Sequence, residues 1–351
     1  MRLGWLERRD DTSAQALALA PLVPCAWLYG AGAWLARALR EGGVRAPRRL
    51  PMRVVSVGNL VVGGTGKTPF AAWLAAGLAR RGRKVALASR GHGRRGREPV
   101  VVVSDGRFVR GSAERAGDEP MWLAAHAPGV PVLVGHDRGV VGLRALSGFG
   151  SEVLVLDDGF QHHRLARDVD FVCFDGEFGL GNGCVLPRGP LREPIVALRR
   201  ADAIAVVDGP LPEPDASRVR ALAPSAREVS LQRRPVSLRS LESGAAVAPT
   251  WLEGRSVGLL AGVARPGSVR RTLGALGARV VAERLFPDHH RYRASDLAGL
   301  GAEASLWVTT EKDAVKLVPG WLRGVDLRVL GQSLEVDAGD ALLDWLEGRL
   351  R

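Results

Sequence analysis

The segment Gly63–Thr68 reads Gly-Gly-Thr-Gly-Lys-Thr and joins an apolar run, Arg53–Val57, to an alanine-rich stretch that opens at Pro69. A strand, a glycine loop and a helix in this order direct successive backbone N–H groups and the positive end of the helix at a phosphate group. In such loops the lysine reaches the β- and γ-phosphates, and the next hydroxyl binds Mg²⁺. We predict that the chain binds a nucleoside triphosphate through Gly63, Gly64, Thr65, Gly66, Lys67 and Thr68.

One position of this loop departs from the common pattern. The pattern G-x-x-x-x-G-K-[ST] would place its first glycine at position 61, which is Val61 here. The alternative interpretation is a glycine-rich turn that contains an unrelated lysine. The strand before the loop and the helix after it favour the triphosphate site, and this site predicts phosphoryl-transfer chemistry.

Apolar runs of strand length alternate with helical patterns in the region that contains the loop. This alternation is typical of βαβ units and of a parallel sheet covered by helices on both faces. We therefore predict an α/β fold. The predicted strands are Arg53–Val57, Lys84–Ala88, Val132–Val134, Val153–Leu156, Phe171–Phe174 and Ala203–Val207, and the predicted helices are Pro69–Arg81, Glu119–Ala127 and Gly139–Leu146.

The rest of the chain predicts a connector and a second α/β lobe, which continues or faces the first. Residues 209–250 are rich in Pro, Arg, Ser and Ala and have weak periodicity, which favours a connector with peripheral strands. We expect four regions: 1–50, apolar and then basic; 51–210, the nucleotide-binding core; 211–250, the connector; and 251–351, the C-terminal lobe. Its predicted strands are Ser256–Leu260, Ala278–Glu283, Ser305–Thr309 and Leu327–Leu330, and its predicted helices are Pro266–Leu276 and Ala341–Arg349.

The composition indicates a basic globular protein. Among 351 residues, Lys and Arg outnumber Asp and Glu by 49 to 37, which gives a net charge of +12. Such a surface attracts nucleic acid, phosphorylated substrates or acidic lipid, and charge alone does not choose among them. Cys25, Cys173 and Cys184 form neither a C-x-x-C pair nor a zinc-type cluster, which favours a reducing cytosol.

The N-terminal segment between Asp11 and Arg37 carries no ionised side chain and is long enough to cross a bilayer as a helix. Pro21, Pro24 and the Ala and Gly content weaken its tendency to insert. Three alternatives are a membrane-docking helical hairpin, a buried packing helix, and a true span or signal. The residues suited to a headgroup boundary are Trp5, Trp27, Tyr29, Trp34, Arg37, Arg40, Arg45, Arg48 and Arg49.

An acidic pair, Asp157-Asp158, ends the apolar run Val153–Leu156. A carboxylate at the end of such a strand can complete the Mg²⁺ shell opposite the phosphate loop. Adjacent strand residues point to opposite faces, so we expect one carboxylate to face the metal directly and the other to lie behind it or in a salt bridge. His162 and His163 follow, but no third ligand at suitable spacing supports zinc.

Two further segments contain groups that could transfer a proton. Asp118 lies at the start of a predicted helix, where spacing alone favours a role as the N-cap. The segment Phe286–Tyr292 contains Asp288, His289 and His290, and a carboxylate and a histidine that meet across a cleft could deprotonate an alcohol. Pro187–Pro194 and Thr309–Ala314 are loop-like segments near predicted strand ends, and spacing alone gives them no role.

These motifs occur in an order that resembles the tetraacyldisaccharide 4'-kinase family, the lipid A 4'-kinases. The resemblance runs from the N-terminal apolar segment to about Lys316, and that family also lacks the glycine that Val61 replaces. The motifs that carry it are Gly58–Leu60, Gly63–Pro69, Ser89–Gly91, Gly117–Pro120, Asp157–His162, Arg188–Pro194, Phe286–His289 and Thr310–Asp313.

The resemblance implies a P-loop NTPase-like fold with a Rossmann-like, mostly parallel core, a smaller C-terminal α/β lobe and an N-terminal membrane-docking helix. It implies transfer of the γ-phosphate of ATP, with Mg²⁺, to the 4'-hydroxyl of a tetraacylated glucosamine disaccharide 1-phosphate. The product is lipid IVA, made on the cytoplasmic face of the bacterial inner membrane. The expected partners are this lipid and the membrane surface, with no nucleic acid and no obligate protein partner.

The resemblance also implies roles for individual residues. Asp118 becomes the catalytic base, in place of an N-cap, and His289 becomes its partner, with the neighbouring His290 left open. Together with Lys67, these are the expected catalytic residues. The implied metal and phosphate network is Thr68, Asp157, Asp158, Gln161 and Glu193, with Arg138 or Arg192 stabilising the transferred phosphoryl group.

Two other functions compete with this hypothesis. A switch GTPase or a partitioning ATPase would also use the phosphate loop, but a GTPase should contain Asn-Lys-x-Asp, and the nearest segment, Thr310–Asp313, has Glu in place of Asn. A nucleic-acid-binding protein would interleave aromatic and basic residues. Aromatic residues make up only 5% of the chain, and several tryptophans lie in the N-terminal apolar segment.

Overall fold

The structure is a computed structural model that describes residues 11–41, 46–96, 98–322 and 324–351. Trp5 and Arg45 therefore lie outside the described residues. The helices are α1 Ser13–Ala18, α2 Val23–Glu41, α3 Lys67–Arg80, α4 Ala113–Ala116, α5 Asp118–His126, α6 Arg138–Phe149, α7 Glu213–Leu222, α8 Pro266–Ala275, α9 Leu300–Glu303, α10 Glu311–Ala314 and α11 Gly339–Arg349.

Within the described residues the strands form a single sheet in the order β11-β10-β12-β13-β8-β7-β6-β1-β5-β2-β4-β3, with β9 paired to β8. The strands are β1 Arg53–Asn59, β2 Val85–Ser89, β3 Val101–Asp105, β4 Pro131–Val134, β5 Val153–Asp157, β6 Val169–Asp175, β7 Ala203–Val207, β8 Arg227–Ser240, β9 Ala246–Val247, β10 Ser256–Ala261, β11 Arg279–Leu285, β12 Leu306–Thr310 and β13 Asp326–Val336.

Two parallel runs of strands make up this sheet. From β4 to β8 every neighbouring pair is parallel, and so is every pair among β10–β13. The two runs meet where β8 pairs with β13 in antiparallel register, from Ser240 opposite Arg328 to Leu231 opposite Val336. We call residues 51–250 the N-terminal half and residues 251–351 the C-terminal half.

The α/β class and the mostly parallel core are confirmed, and the second lobe continues the first. The predicted strands are all present, with ends within two residues of those expected except that β13 continues to Val336. One expectation about residues 209–250 was wrong, because β8 is an interior strand that joins the two halves and α7 precedes it. The outward side chains of β8 include several arginines, and they make its alternation of buried and exposed residues hard to recognise in the sequence. The edge strand β3 was also missed.

The sheet is covered on both faces, as alternating strand residues require. Val55 and Val57 of β1 pack with the apolar side of α3, including Phe70 and Leu74. Val54, which precedes Val55, packs on the opposite face in a cluster that includes residues of α6. These layers fix β1 and α3, and therefore fix the loop between them.

The N-terminal segment contacts the loop between β6 and β7. The hydroxyl of Tyr29 in α2 donates to the backbone oxygen of Arg192 at 2.8 Å, and Asp11 forms a salt bridge of 2.6 Å with Arg188. Trp27 and Leu28 remain 75% exposed. Among the described residues, no helix combines the length and apolar character needed to cross a bilayer.

Candidate active site

The phosphate loop connects β1 to α3 in a tightly defined backbone. Gly66 is the N-cap of α3 with φ of 73°, and Gly63 has φ of 105°, values that favour glycine. A Cβ on Gly66 would also lie 2.8 Å from a methyl group of Val207. Asn59 at the end of β1 donates to the oxygen of Gly63 at 3.3 Å and to the hydroxyl of Thr65 at 3.0 Å. The loop is therefore held in shape by its neighbours.

Lys67 lies at the first turn of α3 and is almost fully buried. Burial alone would lower its pKa, but the carboxylates of Asp158, Glu119 and Asp157 raise the pKa of Lys67 above its usual value. The ammonium group is therefore charged at neutral pH. A buried cation at a helix N-terminus forms an anion site.

Thr68 and Asp157 form the pair that could hold a metal ion. The Thr68 hydroxyl donates to the two carboxylate oxygens of Asp157 at 3.1 and 3.3 Å, and Asp157 is fully buried. Burial, and then the charge of Glu119, raise the pKa of Asp157 to about 7. A cation at this position would stabilise the ionised carboxylate.

These two oxygen donors fit magnesium bound with a nucleotide. Among the described residues, no group of three His, Cys, Asp or Glu side chains could hold a metal by itself. Mg²⁺ at nucleotide sites needs only one or two protein oxygens, because phosphates and waters supply the rest. Thr68 and Asp157 match that requirement.

Asp158 leaves the strand, and its φ of 57° turns the chain away from the extended geometry on which the expectation of opposite faces depended. Its carboxylate accepts a hydrogen bond of 2.8 Å from Arg192, which also donates to Gln161 at 3.3 Å. Burial opposes ionisation, but the charges of Lys67 and Arg192 hold the pKa of Asp158 below its usual range. Both carboxylates thus interact with the loop lysine, and Asp158 is the one in a salt bridge.

Glu193, a predicted metal residue, has a carboxylate with other partners than Thr68. Its carboxylate accepts hydrogen bonds from Arg200 at 3.1 Å and lies 3.5 Å from His163. Gln161 lies nearer the loop, where its amide donates to the backbone oxygen of Asn59 at 2.9 Å. The Gln161 side chain therefore bonds the end of β1, whereas the carboxylate of Glu193 is engaged by Arg200 and His163.

Asp118 and His289 come together across the two halves. Nδ1 of His289 lies 3.1 Å from each carboxylate oxygen of Asp118, and Asp118 is buried. Burial opposes ionisation, but the hydrogen bond from His289 and the charges of Lys312 and Lys316 hold the pKa of Asp118 well below its usual range. The N-cap of α5 is Gly117, so the N-cap interpretation of Asp118 was wrong.

The neighbouring histidine has a different partner. Nε2 of His290 lies 3.0 Å from Asp296, and its ring stacks on Phe286. His289 adopts φ of 59°, a conformation that turns its side chain away from that of His290. Lys312 lies on the far side of the His289 ring, 3.4 Å from Nε2, and donates to Asp288 at 3.0 Å.

Two cavities meet at Lys67. The first, which we call the nucleotide cavity, runs from the loop into the C-terminal half and is lined by Thr68, Trp122, Arg265 and Leu330, among others. The second, the acceptor cavity, has a volume of about 750 Å³, within the usual range for ligand sites. The residues that line both cavities are Gly64, Lys67, Glu119, Asp288 and Lys312.

The acceptor cavity is rich in cations. Arg138 is buried, and its Nη1 donates to the backbone oxygen of His136 at 3.0 Å. Burial, and then the nearby charge of Arg90, lower the pKa of Arg138. Arg192 and His289 line the same cavity. The guanidinium groups of Arg138 and Arg90 lie near each other in this partly enclosed space, and together they attract an anion.

Sequence reasoning missed several residues that line the nucleotide cavity. Trp122 and Glu311 lie on its wall, and Arg233 and Arg265 lie beside the loop. Trp122, Arg233 and Arg265 lie in none of the motifs named above, and Glu311 lies in Thr310–Asp313, to which spacing alone gave no role. Arg265 could have been found from its position after β10, since ligands bind outside the carboxyl ends of parallel strands.

Comparison with known proteins identifies one family of similar sequences. The sequence model of the family described as tetraacyldisaccharide-1-P 4'-kinase matches residues 18–351 of the chain. The chain is 43% identical to a tetraacyldisaccharide 4'-kinase of Anaeromyxobacter sp. (strain Fw109-5), over 96% of this chain and 91% of that protein. It is 40% identical to the protein of the same name from Dechloromonas aromatica (strain RCB), over 99% and 97% of the two chains.

A solved structure shares the fold. It is the crystal structure of the "apo" form of LpxK from Aquifex aeolicus in complex with ATP. The TM-score is 0.75 and the sequence identity 29%, and the match covers 95% of this chain and all of the other.

Proposed function

The chain belongs to the tetraacyldisaccharide-1-P 4'-kinase family, and from this we propose that its site transfers the γ-phosphate of ATP to the 4'-hydroxyl of a tetraacylated glucosamine disaccharide 1-phosphate. The product is lipid IVA, an intermediate of lipid A biosynthesis. The same relatives favour this phosphotransferase over a switch GTPase or a partitioning ATPase.

The observation that carries the proposal is the meeting of the two cavities at Lys67, beside the Asp118–His289 pair. ATP in the nucleotide cavity would present its γ-phosphate to the acceptor cavity, where the sugar hydroxyl approaches. Lys67 and an arginine, Arg138 or Arg192, would neutralise the charge that spreads over the transferring phosphoryl group.

The transfer forms one bond and breaks another. The 4'-oxygen bonds to the γ-phosphorus, the bond from that phosphorus to the β,γ-bridging oxygen breaks, and ADP leaves. Asp118 accepts the proton of the hydroxyl, and His289 orients its carboxylate. The low pKa of Asp118 makes it a weak base, which is sufficient because the hydroxyl proton is released late in a loose transition state.

Thr68 and Asp157 would hold the magnesium ion, with Asp158 and Gln161 behind them. A magnesium ion held there would supply positive charge that offsets the charge developing on the phosphates. Asp158 and Arg192 restrain each other, so the carboxylate and the guanidinium keep fixed positions beside Lys67.

We also propose that α1 and α2 dock on the cytoplasmic face of the inner membrane. Trp27 and Leu28 expose their apolar side chains, while Tyr29 on the same helix is anchored to the core. Acyl chains of the substrate would stay in the bilayer while its sugars reach the acceptor cavity. Arg48 and Arg49, both exposed, could meet lipid phosphates.

A label-transfer assay tests the function. Purified protein is incubated with ATP labelled at the γ-phosphate, Mg²⁺ and the detergent-solubilised tetraacylated disaccharide 1-phosphate. We expect label in the lipid fraction with wild type and none with Lys67→Ala. Label released only as free phosphate, at the same rate with and without lipid, would indicate an ATPase instead.

A further inference from the structure

Arg265 reaches the phosphate loop from the C-terminal half. It lies between β10 and α8, whereas the loop lies between β1 and α3. Its Nη2 donates to the backbone oxygen of Val62 at 3.4 Å, and a Cβ on Gly63 would lie 3.4 Å from its Nε. The guanidinium group therefore lies directly against the start of the loop.

Two more contacts fix the orientation of this guanidinium group. Its Cζ lies 3.9 Å from the centroid of the Phe178 ring, and its Nη1 lies 3.5 Å from Oδ2 of Asp175. The Arg265 side chain is only 13% exposed. A group that is already ordered loses little conformational entropy when it binds a ligand.

The contacts of Arg265 are long and leave it able to bond a further acceptor. Nη1 is buried, and its charged neighbour is Oδ2 of Asp175 at 3.5 Å, which is long for an N–H···O bond. The neighbouring Arg233 differs, because it donates to Asp175 at 3.1 Å and to Asp208 at 2.6 Å. Asp175 is therefore bonded more closely by Arg233, and the guanidinium group of Arg265, which has five N–H donors, retains donors for another anion.

The surroundings of this guanidinium group indicate the chemistry of the acceptor. Arg265 lines the nucleotide cavity together with Gly64, Lys67 and Thr68. The group expected next to these loop residues is a polyphosphate. Arginine bonds phosphate oxygens strongly, because its N–H groups are charged and diverge in a plane that matches them.

We propose that Arg265 is a second phosphate-binding cation for the nucleoside triphosphate, supplied by the C-terminal half in addition to Lys67. This inference rests on the proposed function, because it requires that ATP occupies the nucleotide cavity. Binding through Arg265 would link nucleotide occupancy to the contact between the two halves.

Calorimetric titration with ATP, ADP and AMP tests the proposal. We expect Arg265→Ala to weaken the binding of ATP and ADP about 10- to 100-fold, the effect of losing a hydrogen bond between charged groups. AMP should lose much less, because the β- and γ-phosphates are absent. Arg265→Lys should recover part of the ATP affinity, since it keeps the charge.

Arg270→Ala is the matched control, because Arg270 lies on α8 but is 54% exposed and pairs with Glu283 at the surface. It should leave the affinity for all three nucleotides unchanged. Equal losses of ATP and AMP in Arg265→Ala would assign Arg265 to holding the halves together, and no loss would remove it from the phosphate site. Either result would overturn the inference.

The same titration separates this inference from the proposed function. If wild type binds ATP and Lys67→Ala does not, while both Arg265 variants bind as wild type does, only the role of Arg265 is wrong. If wild type fails to bind ATP, the proposed function itself is wrong. Should Arg265→Ala be unfolded by circular dichroism, Arg265→Gln, which keeps the length of the side chain, replaces it.

Discussion

Nδ1 of His289 lies 3.1 Å from both carboxylate oxygens of Asp118, although the two residues are 171 positions apart in the chain. The contact joins α5 of the N-terminal half to a loop of the C-terminal half. It places His289, paired with the buried carboxylate of Asp118, on the wall of the acceptor cavity beside Asp288 and Lys312, which line both cavities.

Removing either member of this pair should slow phosphoryl transfer. We expect Asp118→Asn and His289→Ala to lower kcat by about 10²- to 10⁴-fold, the usual contribution of a positioned acid or base. Binding of ATP should remain, because neither side chain belongs to the phosphate loop. Steady-state kinetics and ATP titration of the same preparations measure the two effects.

His290→Ala is the control for this experiment. Its ring pairs with Asp296 and stacks on Phe286, so its loss should change kcat only slightly. A larger loss of kcat in His290→Ala than in His289→Ala would reverse the assignment.

The low pKa of Asp118 predicts a specific dependence of stability on pH. The unfolded carboxyl titrates near pH 4, above its folded pKa, so the unfolded state binds more protons in the interval between the two. The stabilisation by Asp118 is therefore complete above about pH 4 and is lost as the pH falls through the folded value. Its size should be about 1–3 kcal/mol, as for a hydrogen bond between charged groups.

Urea unfolding of wild type and Asp118→Asn between pH 7 and 2 measures this dependence. The difference between their free energies of unfolding should be constant from pH 7 to 5 and shrink below about pH 4. A difference that grows on acidification would mean that Asp118 is destabilised as an anion in the folded protein.

The sequence predicted the local parts of this site better than the distant contacts. Gly63–Thr68 acts within one strand, one loop and one helix, so its geometry follows from neighbouring residues. The pairing of Asp118 with His289 depends on how two halves of the sheet meet, which no local pattern contains. Only the family resemblance indicated it, while spacing favoured the N-cap.

Two other differences have physical causes that can be named. Buried Val229 and Leu231 of β8 alternate with exposed Glu228 and Ser230, a pattern obscured by the surrounding Arg and Pro residues. At Asp158, the expectation of opposite faces assumed an extended backbone, whereas the positive φ ends the strand. Short polar side chains tolerate this conformation, which is why a strand can end there.

Glu311 should hold α5 and the C-terminal half in register. Its carboxylate accepts hydrogen bonds from Nε1 of Trp122 at 3.2 Å and from Nε2 of His126 at 3.1 Å, and the two rings stack with centroids 3.7 Å apart. Because Trp122 and Glu311 line the nucleotide cavity, we expect Glu311→Ala to raise the KM for ATP more than it lowers kcat. Steady-state kinetics with varied ATP measure both constants.

The same contact predicts a second dependence on pH. Burial would lower the pKa of His126, but the hydrogen bond and charge of Glu311 raise it above its usual value. A raised pKa stabilises the fold fully below about pH 6.5 and less as the pH rises through the folded value. The difference in free energy of unfolding between wild type and Glu311→Gln should therefore be larger at pH 6 than at pH 9.

That difference should stay near or below about 1 kcal/mol, because both side chains are partly exposed. Glu335→Gln is the control, since Glu335 forms an exposed surface pair with Arg234. If both variants lose equal stability at both pH values, the pair of Glu311 with His126 makes no contribution of its own to the free energy of unfolding.

The exposed side of α2 should bind lipid. Trp27 and Leu28 are each 75% exposed, and burial of one such side chain in an apolar phase is worth about 1.5–3 kcal/mol. We expect the double variant Trp27→Asp, Leu28→Asp to lower partitioning to anionic phospholipid vesicles more than tenfold, measured by co-sedimentation. This change keeps Tyr29 and its hydrogen bond to Arg192, which a deletion of residues 1–36 would remove.

Phe108→Asp is the matched control, because Phe108 is an apolar residue with 67% exposure that follows β3 instead of lying on α2. Phe108→Asp should partition as wild type does. The double variant and Phe108→Asp should bind ATP equally, because the nucleotide cavity is lined by none of Trp27, Leu28 and Phe108. Equal partitioning of the double variant and wild type would place the membrane contact elsewhere. Equal losses in the double variant and Phe108→Asp would indicate general apolar adsorption instead of docking through α2.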